Sequence, residues 1–263
     1  MCRILLAVGE GQRIVPWIEA FVRASENDPY KEARGKGKSH KDGWGYVLIT
    51  EDYVKHYKSK KPVFEDEEVD ELKKNISGFS VLMAHSRAAS QGSVETFNAQ
   101  PFSFGSPHGY QLYFMHNGDL NKSMLLDALK LPKEKFLDVS DSYVAGMYVS
   151  LFVTSQEDEE IVKAISALKE VVNTSLNVGI ILASPGRLKV IGVAYMREEF
   201  LENKAERDYM RLITFPDFDL FVLASSTLEL YTYFPVDEVP NATIFSLEVS
   251  LKEKEFEVKK YSF

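Results

Sequence analysis

The chain has 263 residues, 45% of them hydrophobic and 27% charged, enough to bury a substantial core without metals or disulfides. A formal net charge of -8 argues against a generic nucleic-acid or acidic-membrane surface and leaves a small molecule as the expected partner. The single cysteine, Cys2, excludes an internal disulfide, and with no secretory signal pattern and no bilayer-length apolar run the expected compartment is the cytoplasm.

Residues 2–8 form an apolar run of strand length, and residues 16–25 read as a short helix with Trp17, Ile18, Phe21 and Val22 on one face. Gly9-Glu10-Gly11 reads as a turn between them. A polar, glycine-bearing loop is expected over 26–41, then a hairpin of strands 45–50 and 53–57 turning at Glu51 and Asp52. Residues 66–76 have the pattern of an acidic helix, 79–86 of a buried strand and 111–116 of another strand. The intervening stretch, 87–110, reads as a long loop, a length that in compact domains accompanies function or mobility. Helical patterns follow over 122–131, 140–153 and 157–173, and then strands over 178–183, 189–193, 212–215, 220–224, 243–249 and 256–260. Strands, a block of helices and strands again, with no linker composition between them, predict one layered α+β domain over 1–263.

Cys2 directly follows the initiator methionine. Removal of Met1 gives it a free α-amine, whose pKa of about 7.7 to 8.0 lets it take the thiol proton at neutral pH. The local alternative is a small buried apolar residue. In Asp42-Gly43-Trp44-Gly45-Tyr46 a tryptophan sits between glycines where a strand begins, which by itself reads as a turn with Trp44 in the core. Arg87, in His85-Ser86-Arg87, stands where a strand delivers a side chain, and its planar fork suits a carboxylate. His85 by itself reads as a core histidine. In His116-Asn117-Gly118 the Asn117 side-chain amide and the Gly118 backbone N–H are candidate donors to an oxyanion. Ser140-Asp141-Ser142 precedes an apolar helix, so Ser140 caps it and Asp141 favours its first turn. A carboxylate fixed there is also placed to bind an ammonium group. The basic clusters at 31–41 and 55–61 read as solvated surface. No zinc spacing, Walker loop or dinucleotide fingerprint occurs, so neither metal nor cofactor is expected.

Taken in order, Cys2, Asp42-Gly43-Trp44-Gly45, His85-Ser86-Arg87, Asn98 with Pro101-Phe102, His116-Asn117-Gly118 and Asp141 resemble the class II glutamine amidotransferases, members of the N-terminal nucleophile (Ntn) hydrolases. Short stand-alone members with the Gly-Trp-Gly form are the most similar. The resemblance implies a four-layer αββα sandwich in which Cys2 attacks a side-chain amide to give a thioester and its amine relays protons. By the same resemblance Asn117 and Gly118 form the oxyanion hole, Arg87 binds the α-carboxylate and Asp141 the α-ammonium, with His85, His116 and Trp44 supporting the substrate site. One departure is Gln100, in Asn98-Ala99-Gln100-Pro101-Phe102, where those members usually carry histidine. Three readings follow: a glutaminase passing ammonia to a separate synthase subunit or to water, a hydrolase of γ-glutamyl amides in larger compounds, and a non-catalytic binding subunit. A pocket closing over free glutamine favours the first, and an open groove the second. No catalytic position is missing, which counts against the third.

Overall fold

The computed structural model describes residues 2–215 and 217–263. Its first half contains β1 (Arg3–Glu10), α1 (Gly11–Glu26), α2 (Pro29–Glu32), β2 (Trp44–Ile49), β3 (Val54–Ser59), α3 (Glu68–Asn75), β4 (Phe79–Ser86), β5 (Phe102–Gly105) and β6 (Gln111–Leu120). There follow α4 (Lys122–Ala128), α5 (Asp141–Phe152), α6 (Asp158–Lys169), β7 (Val172–Ser184), β8 (Arg187–Ala194), α7 (Glu198–Leu201) and α8 (Lys204–Met210). The remainder is β9 (Leu212–Thr214), β10 (Leu220–Ser225), β11 (Asp237–Glu238), β12 (Thr243–Ser250) and β13 (Glu255–Ser262). The strands make two antiparallel sheets, β11-β9-β10-β1-β4-β2-β3 and β13-β12-β8-β7-β6-β5.

Strand alternation explains the layering. On β1, Leu5 and Ala7 pack with Ile14, Trp17, Ile18 and Phe21 of α1 on one side. Ile4, Leu6 and Val8 face the other way and meet Met115, Ile181 and Leu247 of the second sheet. A strand buried on both faces reads as continuously apolar, as residues 4–8 do. The second sheet buries Phe114, Val178 and Ile180 against Val144 and Val149 of α5 and Ile161 and Ile165 of α6. The order is therefore helix, sheet, sheet, helix, the expected αββα sandwich.

Several elements are longer than their local patterns suggested. Gly9-Glu10-Gly11 is no turn: β1 runs to Glu10 and α1 starts at Gly11, with Pro16 inside the helix. Pro16 deletes a single bond near the helix start, and the apolar face from Ile14 to Ala24 continues through it. The loop after β4 contains β5, paired to β6 through Phe102 and Phe114. The helices α7 and α8, over a stretch rich in charge, were not anticipated.

Candidate active site

Cys2 lies just outside the ladder, since β1 first pairs at Arg3 with Ser86 of β4 and at Leu5 with Ala224 of β10. Neighbouring side chains and loop backbone hold it instead. Its backbone nitrogen donates to Asn117 Oδ1 at 2.6 Å, and the Ala88 N–H donates to its Sγ at 3.4 Å. Met1, whose removal would turn that nitrogen into an amine, lies outside the described residues.

Asn117 reaches Cys2 from the opposite sheet because β6 does not stop at His116. It continues through Asn117, opposite Asn177 of β7, and Gly118, opposite Leu176, before a register shift ahead of Leu120. Asn-Gly pairs favour tight turns, but here pairing with β7 carries the strand through, and the irregularity becomes a bulge, a device that re-aims side chains. Glycine is required at 118: a Cβ there would stand 1.8 Å from the Ser175 carbonyl oxygen and 2.6 Å from His116 Nε2.

His116 points to the other face of β6, towards α5. Its Nε2 lies 3.1 Å from the Ser175 carbonyl and Nδ1 2.9 Å from Ser142 Oγ. A carbonyl only accepts, so Nε2 carries the proton and Nδ1 accepts from Ser142. Burial pushes its pKa down, against the nearby Asp141 charge, and the ring is neutral. Gln100, the departure from the usual histidine, grips the His116 backbone twice: Oε1 accepts its N–H at 2.7 Å and Nε2 donates to its carbonyl at 3.2 Å. Phe102 pairs with Phe114, so 100 is the position at which β5, if extended, would meet 116. A side-chain amide there replaces the missing strand.

Asp141 opens α5, with Ser140 Oγ accepting the Tyr143 N–H at 3.2 Å as the expected N-cap. Its Oδ2 accepts the Leu120 N–H and its Oδ1 the Ser142 N–H, both at 2.8 Å, so one carboxylate ties the bulge of β6 to the helix start. Burial pushes the Asp141 carboxyl pKa up. Arg87, 3% exposed, donates from Nη1 to the Ser93 carbonyl and from Nη2 to the Gln91 carbonyl, each at 2.9 Å, which curls the loop back over the strand end. Gln91 Nε2 in turn donates to Asp119 Oδ1 at 2.7 Å.

Cys2, Arg87, His116, Gly118 and Asp141 thus line one small cleft of about 20 Å³, room for about one water, with Gln91 among the loop residues on its wall. Asn117, Trp44 and His85 do not line it. Trp44 is buried on the helix side of β2, donating from Nε1 to Asp66 Oδ2 at 2.9 Å and stacked on Tyr46. His85 is fully buried, and burial, reinforced by the Arg87 charge, keeps its pKa well below the usual value. The 31–41 loop is less solvated than its composition suggested: His40 is fully buried with Nε2 2.7 Å from Asp28 Oδ2, and Lys31 is buried too. Arg3, Asp28 and Gln91 are contributors that the motifs did not mark, and Gln100 stood out only as a departure. The one available signal was Arg3, a charge inside an apolar strand. Among the described residues, no group of three or more His, Cys, Asp or Glu side chains is arranged to hold a metal ion. No helix among them is long and apolar enough to cross a membrane.

The family model described as "Glutamine amidotransferases class-II" matches residues 27–181, more than half of the chain. The chain belongs to the class II glutamine amidotransferases. Two solved structures of similar fold each have a TM-score of 0.63 and 17% identity over 100% of this chain. One is described as the allosteric regulatory enzyme of purine biosynthesis, the other as glutamine phosphoribosylpyrophosphate amidotransferase from B. subtilis complexed with ADP and GMP. This amidotransferase-family chain spans 49% and 50% of those two chains, about half their length. A glutamine aminotransferase class-II domain protein from Silicibacter pomeroyi aligns over 100% of this chain and 99% of its own, with a TM-score of 0.52 and 12% identity. Comparison with curated proteins finds no match. These likenesses share the Ntn-hydrolase-type sandwich. The family match begins at residue 27, after Cys2.

Proposed function

We propose that this class II family member hydrolyses the side-chain amide of glutamine through Cys2 once Met1 is removed, releasing ammonia. The observation that carries the reading is the 2.6 Å contact between the Cys2 nitrogen and Asn117 Oδ1, beside a thiol that shares its cleft with Arg87 and Asp141.

The Cys2 amine takes the thiol proton and the thiolate attacks the amide carbon. The carbonyl electrons move onto oxygen, where Asn117 Nδ2 and the Gly118 N–H donate; with Oδ1 engaged by the Cys2 nitrogen, Nδ2 is the end of that amide left for the task. Collapse breaks the C–N bond, the amine returns its proton to the leaving nitrogen, and ammonia departs from a thioester. Water, deprotonated by the same amine, attacks the thioester and releases glutamate and the thiol. Arg87 receives the α-carboxylate and Asp141, ionised, the α-ammonium. His116 is a positioning residue that keeps the Gly118 segment in place.

The cleft is walled by the loop residues from Arg87 to Gln91, which must open to admit a substrate and then close, and this favours free glutamine over a larger γ-glutamyl compound. The ammonia then passes to a separate acceptor subunit or to water. Intact mass after treatment with an electrophilic glutamine analogue, beside a Cys2→Ala control, tests the scheme. The expected result is loss of Met1 and one adduct absent from the control, together with ammonia release from glutamine. A Met1-free protein that forms no adduct and releases no ammonia refutes it.

A further inference from the structure

Beneath Cys2, on the helix side of the first sheet, lies an arrangement of charge that the reaction scheme does not use. Arg3 and Asp28 are both fully buried. Arg3 Nε donates to Asp28 Oδ2 at 2.7 Å, and Nη2 lies 2.6 Å from the same oxygen. His40 Nε2 also approaches Oδ2, at 2.7 Å, while Oδ1 accepts the Lys31 N–H at 3.0 Å and the Thr227 hydroxyl at 2.9 Å. Asp28 thereby joins β1, the 27–43 loop and the turn after β10. Burial alone would raise its pKa, but the Arg3 charge and the His40 hydrogen bond outweigh it and hold the carboxyl well below its ordinary range. The guanidinium lies 4.2 Å from the centroid of the Tyr209 ring. Its remaining nitrogen, Nη1, turns back along the chain and donates to the Cys2 carbonyl at 2.9 Å and to the Tyr209 carbonyl at 3.2 Å.

A fully buried ion pair is a poor way to gain stability, because well-packed apolar groups of similar volume often do as well or better. Such a pair makes more sense where it fixes a geometry. Cys2 needs that, since it precedes the first ladder pair and, once Met1 is gone, would be a chain end free to fray. We propose that Arg3, braced by Asp28, His40 and Thr227, is the positioning residue of the nucleophile: by gripping the Cys2 carbonyl it fixes the backbone rotation that aims the nitrogen at Asn117 and the thiol at Ala88. The inference rests on the proposed role of Cys2 but is testable apart from it.

The test compares Met1-free wild type with Arg3→Lys and Thr227→Val. Lysine keeps the charge but cannot reach Asp28 and the Cys2 carbonyl together; valine removes one brace and leaves the ion pair intact. Arg3→Lys is expected to lower kcat for glutamine by about 10²-fold, the loss that accompanies small misplacements of reacting groups, with KM within about threefold of wild type. Thr227→Val is expected to lower kcat by about three- to tenfold, again without a KM change. Cys2 is the only thiol, so iodoacetamide alkylation reports its mobility whether or not an amide is hydrolysed. That rate should rise at least about threefold in Arg3→Lys as the held residue loosens. Wild-type kcat and alkylation rate in a folded Arg3→Lys protein overturn the proposal. If Arg3→Lys does not fold, unchanged kcat and alkylation in Thr227→Val overturn it instead. A wild type that turns over no glutamine, with alkylation still faster in Arg3→Lys, refutes the glutaminase reading and leaves the positioning role standing.

Discussion

Asp141 carries two demands that pull in opposite directions. Its oxygens accept two backbone N–H groups within the protein, while burial favours the protonated form. An ammonium-binding role requires the ionised form, so substrate binding weakens as pH falls through a pKa raised above the usual Asp value of about 3.9. Steady-state kinetics across pH should show KM rising on the acid side. In Asp141→Asn that limb should vanish, with KM about 10²-fold higher at neutral pH. A wild-type KM that stays flat down to pH 4 contradicts the assignment. Gly118 offers a sharper test, because a methyl group 1.8 Å from the Ser175 carbonyl cannot be accommodated without moving the β6 backbone. Gly118→Ala should cost about 3 kcal/mol of stability in a denaturant titration and abolish adduct formation at Cys2.

At the scale of elements, the site is a junction of strand ends and one helix start, and each is held by a side chain acting in place of backbone. Gln100 completes the sheet beyond β5, Asp141 satisfies the bulge of β6, and Arg87 collects two carbonyls of the loop after β4. Gln100→Ala leaves the buried His116 N–H and carbonyl without that partner, a loss of about 1 to 3 kcal/mol per orphaned group. The urea midpoint should fall with the m-value unchanged. The sequence made some of these elements legible and hid others for physical reasons. Ser140 and Asp141 form a local cap-and-dipole signal, and α5 begins where they place it. The end of β4 at Ser86 was likewise readable from its apolar run. The continuation of β6 through Asn117-Gly118 was not, because the local preference of Asn-Gly for a turn is reversed only by pairing with β7, some sixty residues away in the chain. Cys2, Arg87 and Asp141 were singled out one by one, but their convergence came from family resemblance, since nothing local encodes which strand ends meet.

Over the whole molecule, two sheets bring three histidines into full burial, and for His40 and His85 the pKa is depressed chiefly by loss of water, to about 3 in the case of His40. A histidine whose pKa is lower folded than unfolded contributes stability that is present above the unfolded value, about 6.5, and is lost as pH falls towards the folded one. His40, at about 3, should remove on the order of 2 kcal/mol by pH 5, and His85 adds a loss of the same sign. Urea unfolding at pH 7 and pH 5 measures the sum, and a midpoint insensitive to pH over that interval would show that the two rings are hydrated or charged in the native state. Composition had announced a large core correctly, but it could not say that the middle layer, between the sheets, would share its Cys2 end with His85 and Asn117.

The bond from the Cys2 nitrogen to Asn117 spans 115 positions of sequence. At translation rates of about 5 to 20 residues per second, the asparagine is polymerised roughly 6 to 23 seconds after the cysteine. The proposed reaction needs the initiator methionine removed, and a cut made early in that interval acts on a bare peptide. If the amine is uncovered then, maturation needs nothing from the finished architecture, and the thiol is exposed to the cell well before the groups that would make it selective have been synthesised.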